Sequence, residues 1–488
     1  MMPNERNGRS RASRGGGVAV VGIVLVVLAA VVWGPLVTGL GAPPSRSPAA
    51  IVASGSPTPG GSVAPASPVP SPVPSAGAST SADPSAPAAT PSPSASGSPA
   101  PSASPGPSLV AERLQRRLDA VRKKLSIPGV SVAILWDDGR SWVGASGMRD
   151  VAAADPMTTG TAFALASISK TFTAAVVMQL VQEGKLGLDR SVAPLLPAYG
   201  LDRRITVRML LDHTSGLPDF FLGRGIDAAL QRRPNATWTA AQSWAFVPKL
   251  HAVPGKVWNY SNTNYLLLGE LVTAVTGHPL AQEIRTRLLD PLGLSTAYYQ
   301  AVETPKEAGT LGYQLLATAS GGWRAKSVAA ASGVMPFRSV VTAAGGAGSM
   351  AGTALDAARW MRAWAGGQVL DAHTQALVLA DIARTVKLHA AIPYGLGIQR
   401  VTLGGYAAYG HSGRYLGFRN VVRYLPDAGV TIAVLTNQGV WDPTRIASAL
   451  LKVVLPTPSP SPSPSGSPVA SASPSSSPAS PAPSPSPS

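Results

Sequence analysis

Hydrophobic and polar positions follow three rhythms along this chain. Val110, Leu114, Leu118, Val121 and Leu125 form one stripe with arginines and lysines off it, which predicts an amphipathic helix over residues 109–125. Ile127-Pro128-Gly129 closes it. Residues 130–136 then read as a strand, Asp137-Asp138-Gly139-Arg140 as a hairpin turn and residues 141–147 as the returning strand. From about 165 to 375 the pattern is mostly helical with polar loops. There Phe172, Val176 and Leu180 recur every four residues in a proline-free run that Gly184-Lys185 stops. Residues 205–217 read as a helix running into a loop, and 266–275 as an apolar helix. The last part returns to a strand rhythm over 395–401, 406–410, 418–424 and 430–437, with Pro426-Asp427-Ala428-Gly429 turning between the last two. A closing helix over 443–454 places Ile446, Ala449, Leu450 and Val453 on one side. This order predicts an α+β fold: an antiparallel sheet flanked by the N- and C-terminal helices, with a mostly helical region inserted between its strands.

Composition changes the picture at both ends. Residues 43–107 and 456–488 are almost wholly Pro, Ser, Ala and Gly, with too few apolar side chains to bury a core. The expected organisation is a disordered Pro/Ser-rich stalk over 41–108, a folded domain over 109–455 and a disordered tail over 456–488. In polyproline II form, at ~3.1 Å per residue, the stalk would reach roughly 210 Å. Ahead of it, residues 1–17 carry Arg6, Arg9, Arg11 and Arg14 against Glu5, and residues 18–40 hold no charge. At ~1.5 Å per residue the uncharged run spans about 34 Å, enough for a bilayer core. It reads as a single-pass membrane anchor with a cytoplasmic N-terminal tail and an extracytoplasmic catalytic domain. A cleaved signal peptide, giving a secreted protein, is the alternative.

The chain has no cysteine, which excludes disulfides, thiolate metal sites, a thiol nucleophile and a lipidated cysteine anchor. The net charge of +16 comes from scattered basic residues without a nucleic-acid-binding motif, so a soluble basic surface is expected rather than a nucleic-acid partner. No metal-ligand cluster and no nucleotide-binding glycine loop stand out, so neither a metal nor a cofactor is expected.

Three stretches carry candidate chemistry. Ser167-Ile168-Ser169-Lys170 opens the helical run of Phe172, and residues three apart share a helix face, so the Lys170 amine can reach the Ser167 hydroxyl. A hydroxyl, an amine and an electropositive helix end are the parts of an activated nucleophile, although a serine at a helix start ordinarily caps it. The second stretch is Tyr260-Ser261-Asn262. Tyr260 can shuttle a proton if a nearby cation lowers its pKa from about 10, and Asn262 offers both donor and acceptor atoms; alternatively Ser261 or Asn262 caps the following helix. The third is Gly410-His411-Ser412-Gly413-Arg414, where glycines let a substrate approach the backbone and an edge strand could pair with a substrate amide. His213 and Ser215, ahead of Gly216-Leu217-Pro218, read as a structural loop.

Taken in order, Ser167-x-x-Lys170, Tyr260-Ser-Asn262 and His411-Ser-Gly413 resemble the motifs of the penicillin-recognising serine hydrolases: class C β-lactamases, D-alanyl-D-alanine carboxypeptidases, D-aminopeptidases and related esterases. The words Leu210-Leu-Asp-His-Thr-Ser-Gly-Leu-Pro218 and Pro291-Leu-Gly293 are similar too, and the resemblance runs from Leu114 to Asn437. It implies the β-lactamase/transpeptidase-like fold and a small-molecule or peptide substrate: a wall peptide, an ester or a β-lactam. It also implies that Ser167 attacks a carbonyl to form an acyl-enzyme and that Lys170 and Tyr260 exchange the proton. Asn262 would hold Lys170 and the substrate amide, and His411, Ser412 and Gly413 would line the opposite wall. The backbone N–H groups of Ser167 and Arg414 would form the oxyanion hole, and the Arg414 side chain could attract a substrate carboxylate. Class C β-lactamases have lysine where His411 stands, and a histidine carries no permanent charge at neutral pH. The pattern thus implies acyl transfer on a peptide, as in a D-alanyl-D-alanine carboxypeptidase or related peptidase. The alternatives are an esterase, a β-lactamase, or a module that binds β-lactams or wall peptides without turnover.

Overall fold

The apolar stripe near residue 110 builds the first element. The structure, a computed structural model, describes residues 107–249, 252–319, 321–328 and 334–455. The expectations for the N-terminal tail, the span at 18–40 and nearly all of the stalk and tail therefore lie outside the described residues. Helix α1 (Pro107–Lys124) ends on Arg122, Lys123 and Lys124, whose charges suit the negative end of a helix. Strands β1 (Gly129–Trp136) and β2 (Ser141–Asp150) form the expected hairpin, and the short β3 (Asp155–Pro156) pairs outside β2. Late in the chain come β4 (Gln399–Leu403), β5 (Tyr406–Tyr415), β6 (Phe418–Leu425) and β7 (Val430–Thr436). Together they make a seven-stranded sheet in the order β3-β2-β1-β7-β6-β5-β4, antiparallel throughout. The first and last long strands are neighbours: Val130 faces Thr436 and Trp136 faces Val430.

β1 is buried on both faces, so its side chains alternate between two cores. Val130, Val132 and Ile134 join Leu114, Leu118, Ile446, Leu450 and Leu451 under α1 and the closing helix α6 (Thr444–Val454), which lies beside α1. Ala447 is buried there and Ala449 is not, because the apolar face runs through 446, 447, 450 and 451. Ala133 and Leu135 face the other core, built on helix α4 (Ala354–Ala365). Trp360 of α4 stacks on Phe172 with ring centroids 4.1 Å apart and donates its indole N–H to Thr171 at 2.7 Å. Helix α2 (Ser169–Gln182), which carries Lys170, is therefore locked to the sheet through one tryptophan; every residue from Ser169 to Met178 is buried.

The inserted region is less purely helical than its sequence pattern. A small sheet pairs Phe163–Ala164, Met350–Gly352 and Tyr298–Tyr299, and a hairpin joins Tyr313–Ala317 to Trp323–Ser327. Strands of two to five residues are too short to display a period. Helix α3 (Asn262–Thr276) starts four residues before the apolar run that announced it. The strand expected at 395–401 begins only at Gln399, because Gly397 takes φ 84° against Ala174 and interrupts the extended backbone. Helix α5 (Ala372–Lys387) and the loop after it complete this side.

Leu118 is fully buried between α1 and the sheet, on the face away from Ser167. Leu118→Ala should lower unfolding stability by about 2–5 kcal/mol in a denaturant titration, with the turnover of the remaining folded protein unchanged.

Candidate active site

Ser167 stands before α2 rather than in it. It occupies a 3-10 turn, Ala166–Ile168, that Ala166 enters at φ 52°, a left-handed conformation uncommon outside glycine. No side chain caps α2, so the capping role ordinarily open to such a serine is not filled by Ser167. Two neighbours fix the turn. Asn420 of β6 donates to the Ala164 carbonyl at 2.7 Å while accepting from Thr436 N at 3.0 Å. Gly413 of β5 lies so close that a Cβ there would sit 2.1 Å from the Leu165 carbonyl oxygen. Glycine in the third stretch is thus required by backbone contact with the nucleophile turn.

Lys170 is wholly buried and makes three polar contacts: Asn262 Oδ1 at 2.7 Å, the Ala347 carbonyl at 2.9 Å and Ser167 Oγ at 3.0 Å. Burial away from water lowers its pKa to about 7, with the Asp219 charge opposing. A neutral amine has two N–H groups and one lone pair. The two acceptors, Asn262 and Ala347, take both N–H groups, so the lone pair is left for the Ser167 O–H. The amide of Asn262 is oriented from its far end, where Nδ2 donates to Asp219 Oδ2 at 2.6 Å. Asp219 is itself buried and held by Phe221 N at 3.0 Å.

Tyr260 packs over the same group, with Lys170 Nζ 5.0 Å from its ring centroid. Burial raises the phenol pKa well above its ordinary value, and the nearby Ser167 hydroxyl only partly opposes this. The condition of a cation that lowers it is not met: desolvation dominates, and the phenol stays protonated. His411 is also neutral, its pKa pushed well below the usual value by burial and then by Lys170. Its Nδ1 lies 2.7 Å from the Ser412 carbonyl, which only accepts, so Nδ1 carries the proton and Nε2 accepts from Tyr394 O–H at 2.9 Å. Of the second-stretch capping options, Ser261 is the residue preceding α3, yet its side chain makes no cap.

The third stretch lies inside β5 rather than between two strands. β4 pairs only with Tyr406–Gly410, whereas β6 pairs with 409–415, so residues 411–415 of β5 have a free edge on the β4 side. That stretch borders a cavity of about 520 Å³ lined by Ser167, Tyr260, His411, Ser412, Gly413 and Arg414, with Trp258 and Ile392 on an apolar wall. Arg419, Arg423 and a single carboxylate, Asp442, also line it. Arg423 is 4% exposed and, among the described residues, has no carboxylate within ion-pair distance. Gly410 faces Gln399 on one side and Arg423 on the other. Having no side chain, it lets Arg423 reach across to Gln399 Oε1 at 2.8 Å and to Ser412 Oγ at 2.9 Å.

The sequence matches the Beta-lactamase family over residues 114–454. The chain belongs to that family. This β-lactamase-family chain is 33% identical over 343 residues to penicillin-binding protein 4 of Amycolatopsis lactamdurans, covering 67% of this chain and 85% of that one. Among solved structures it resembles D-amino acid amidase from Ochrobactrum anthropi SV3 (TM-score 0.60, 24% identity, 71% of this chain and 98% of that chain). It also resembles a D-stereospecific amidohydrolase from Streptomyces sp. (TM-score 0.57, 26% identity, 70% and 98%). The family is one of serine hydrolases of β-lactamase and penicillin-binding-protein type, and this member is a hydrolase.

The structure brings Ser167, Lys170, Tyr260, Asn262, His411, Ser412, Gly413 and Arg414 to one cavity and one hydrogen-bonded cluster. Asp219, Ala347, Tyr394 and Arg423 join them without having been singled out from the sequence. Asp219 directly follows Leu217-Pro218, but nothing in the pattern distinguishes a buried carboxylate from a solvated one. Among the described residues no group of three or more His, Asp or Glu could hold a metal, and no helix is long and apolar enough to cross a membrane.

Were Lys170 to take the Ser167 proton in an acylation, it would have to be neutral, and its pKa is about 7. The acylation rate should therefore rise with pH through about 7 and level off above it, measured by stopped-flow labelling of Ser167. Lys170→Ala should slow labelling by roughly 10²–10⁴-fold.

Proposed function

We propose that this chain is an acyl-enzyme-forming hydrolase of amide bonds at D-configured residues, of the D-alanyl-D-alanine carboxypeptidase type. The observation that carries the acyl-enzyme reading is the contact of Lys170 Nζ with Ser167 Oγ at 3.0 Å, Asn262 Oδ1 and the Ala347 carbonyl being its two other partners. Ser167 Oγ attacks the substrate carbonyl as its proton passes to Lys170. The N–H groups of Ser167 and Arg414 hold the oxyanion. Tyr260, protonated by burial, then hands a proton to the leaving amine and is recharged from Lys170. Water repeats the sequence to release the acid.

Two features support a peptide that ends in a carboxylate. Arg414, Arg419 and Arg423 line the cavity against Asp442 alone, and Asp442 pairs with Arg419 at 3.2 Å. Arg423 is taken up by the Val422 carbonyl, Gln399 and Ser412, so the Arg414 guanidinium is the one left to meet a ligand anion. The names of the relatives, a penicillin-binding protein and D-specific amidases, agree with amide chemistry at a D centre. The Arg-rich tail, the uncharged run at 18–40 and the Pro/Ser stalk support a tethered enzyme working outside the cytoplasmic membrane.

The test compares an acetylated peptide ending in D-Ala-D-Ala with its C-terminal amide, p-nitrophenyl esters and a chromogenic cephalosporin. The free-acid peptide should give the highest kcat/KM. Arg414→Ala should raise its KM about tenfold, the scale of one hydrogen bond to a charged group, and leave the amide within about twofold. Equal loss on both peptides would rule out carboxylate recognition. A fluorescent penicillin that labels Ser167→Ala as well as wild type would rule out the nucleophile.

A further inference from the structure

His213 plays no part in the chemistry above, yet it is one of the most constrained residues in the molecule. It is fully buried and holds φ 65°, a left-handed conformation rare for a residue with a bulky side chain. Its carbonyl accepts from Asn259 N at 3.0 Å, and its ring Nδ1 accepts from Ser261 N at 3.2 Å. The two peptide N–H groups that flank Tyr260 therefore both end on this one residue. Asn264 Nδ2 approaches Nδ1 at 3.2 Å as well; the Asn264 amide is oriented by Ser215, whose hydroxyl donates to Oδ1 at 2.6 Å. With donors at Nδ1, the imidazole proton must sit on Nε2, which has no hydrogen-bond partner. The ring itself lies against the Tyr260 ring, centroids 4.3 Å apart and planes 36° apart, on a bed formed by Tyr265 and Tyr394.

We propose that His213 is a positioning residue for Tyr260: its carbonyl and Nδ1 bracket the Tyr260 backbone, and its ring sets the tilt of the phenol over Ser167. The left-handed backbone is the geometric condition for this bracket. In it the carbonyl and the side chain of the same residue both meet the segment 259–261. Burial keeps the ring neutral, so it supplies shape and an acceptor without adding a cation beside Lys170. The inference rests on the reading of Tyr260 as the proton relay. It assigns a role that neither the nucleophile nor the substrate pocket requires.

Three substitutions separate the parts. In His213→Asn, Oδ1 takes the place of Nδ1 and asparagine tolerates the left-handed backbone. His213→Phe keeps a ring and loses the acceptor, and His213→Ala loses both. Each variant is checked by thermal melting, and turnover is normalised to active sites titrated by covalent labelling of Ser167. A 1 Å misplacement costs on the order of 10²-fold in rate. His213→Ala and His213→Phe should thus lose roughly that factor in kcat, with KM within about threefold, and His213→Asn should recover to within about tenfold of wild type. In a Tyr260→Phe background, His213→Ala should cost less than about threefold more, since the two act as one unit. If Phe at 213 does not fold, the Asn and Ala variants carry the same contrast. The proposal is overturned if folded, fully titratable His213→Ala turns over at the wild-type rate, if Asn is no better than Ala, or if the losses at 213 and 260 multiply. A wild-type chain that never labels at Ser167 would instead remove the acyl-enzyme reading, and this inference with it.

Discussion

The rest of the site depends on an amine kept out of water. Lys170 is surrounded by the protein, and the cost of burying a charge brings its pKa to about 7. Near neutral pH such a group is a base that can take a proton and a strong donor once it has. Everything around it defends that condition. Asn262 and the Ala347 carbonyl consume its hydrogens, Asp219 orients Asn262 from behind, and neutral His411 adds no second charge. With lysine in place of His411, two cations would share the pocket. The histidine, held in one tautomer by Ser412 and Tyr394, leaves Lys170 with a pKa near neutrality beside a neutral Tyr260 phenol.

Rigidity comes from aromatic packing. Trp360 stacks on Phe172 and bonds Thr171, so α2 cannot slide relative to the sheet that carries His411 and Gly413. The nucleophile turn is pressed between these parts. Ala166 in a left-handed conformation and the backbone contact at Gly413 are local costs that the surrounding buried core sustains.

Much of this was legible beforehand, for physical reasons. The stripe at Leu114 and Leu118 and the alternating apolar strands at the C-terminal end are long enough to show a period, so the sheet and its two covering helices followed from pattern alone. The three chemical stretches drew attention as reactive side chains at helical or turn spacing, and it was their joint resemblance to a known family's motifs that set them above ordinary caps and turns. Short strands such as Tyr298–Tyr299 left no period to detect. Asp219 and Arg423 are ordinary charged residues in one dimension, and only their burial makes them unusual. The phenol of Tyr260 is raised rather than lowered, because desolvation by residues distant in sequence dominates and no cation contributes. His213 looked like a loop residue and is one, but its backbone angle turns it toward Tyr260.

The pairing of β1 with β7 has a consequence for how the molecule comes into being. Val130 meets Thr436, so the middle of the sheet cannot close until nearly the whole domain has been made. At the usual ~5–20 residues per second, about three hundred residues take roughly 15–60 s to emerge. During that interval the nascent β1–β2 hairpin has a bare apolar flank and the inserted helices lack their platform. Such a chain spends its synthesis open, and an early stop codon anywhere before the last strand leaves it without a centre.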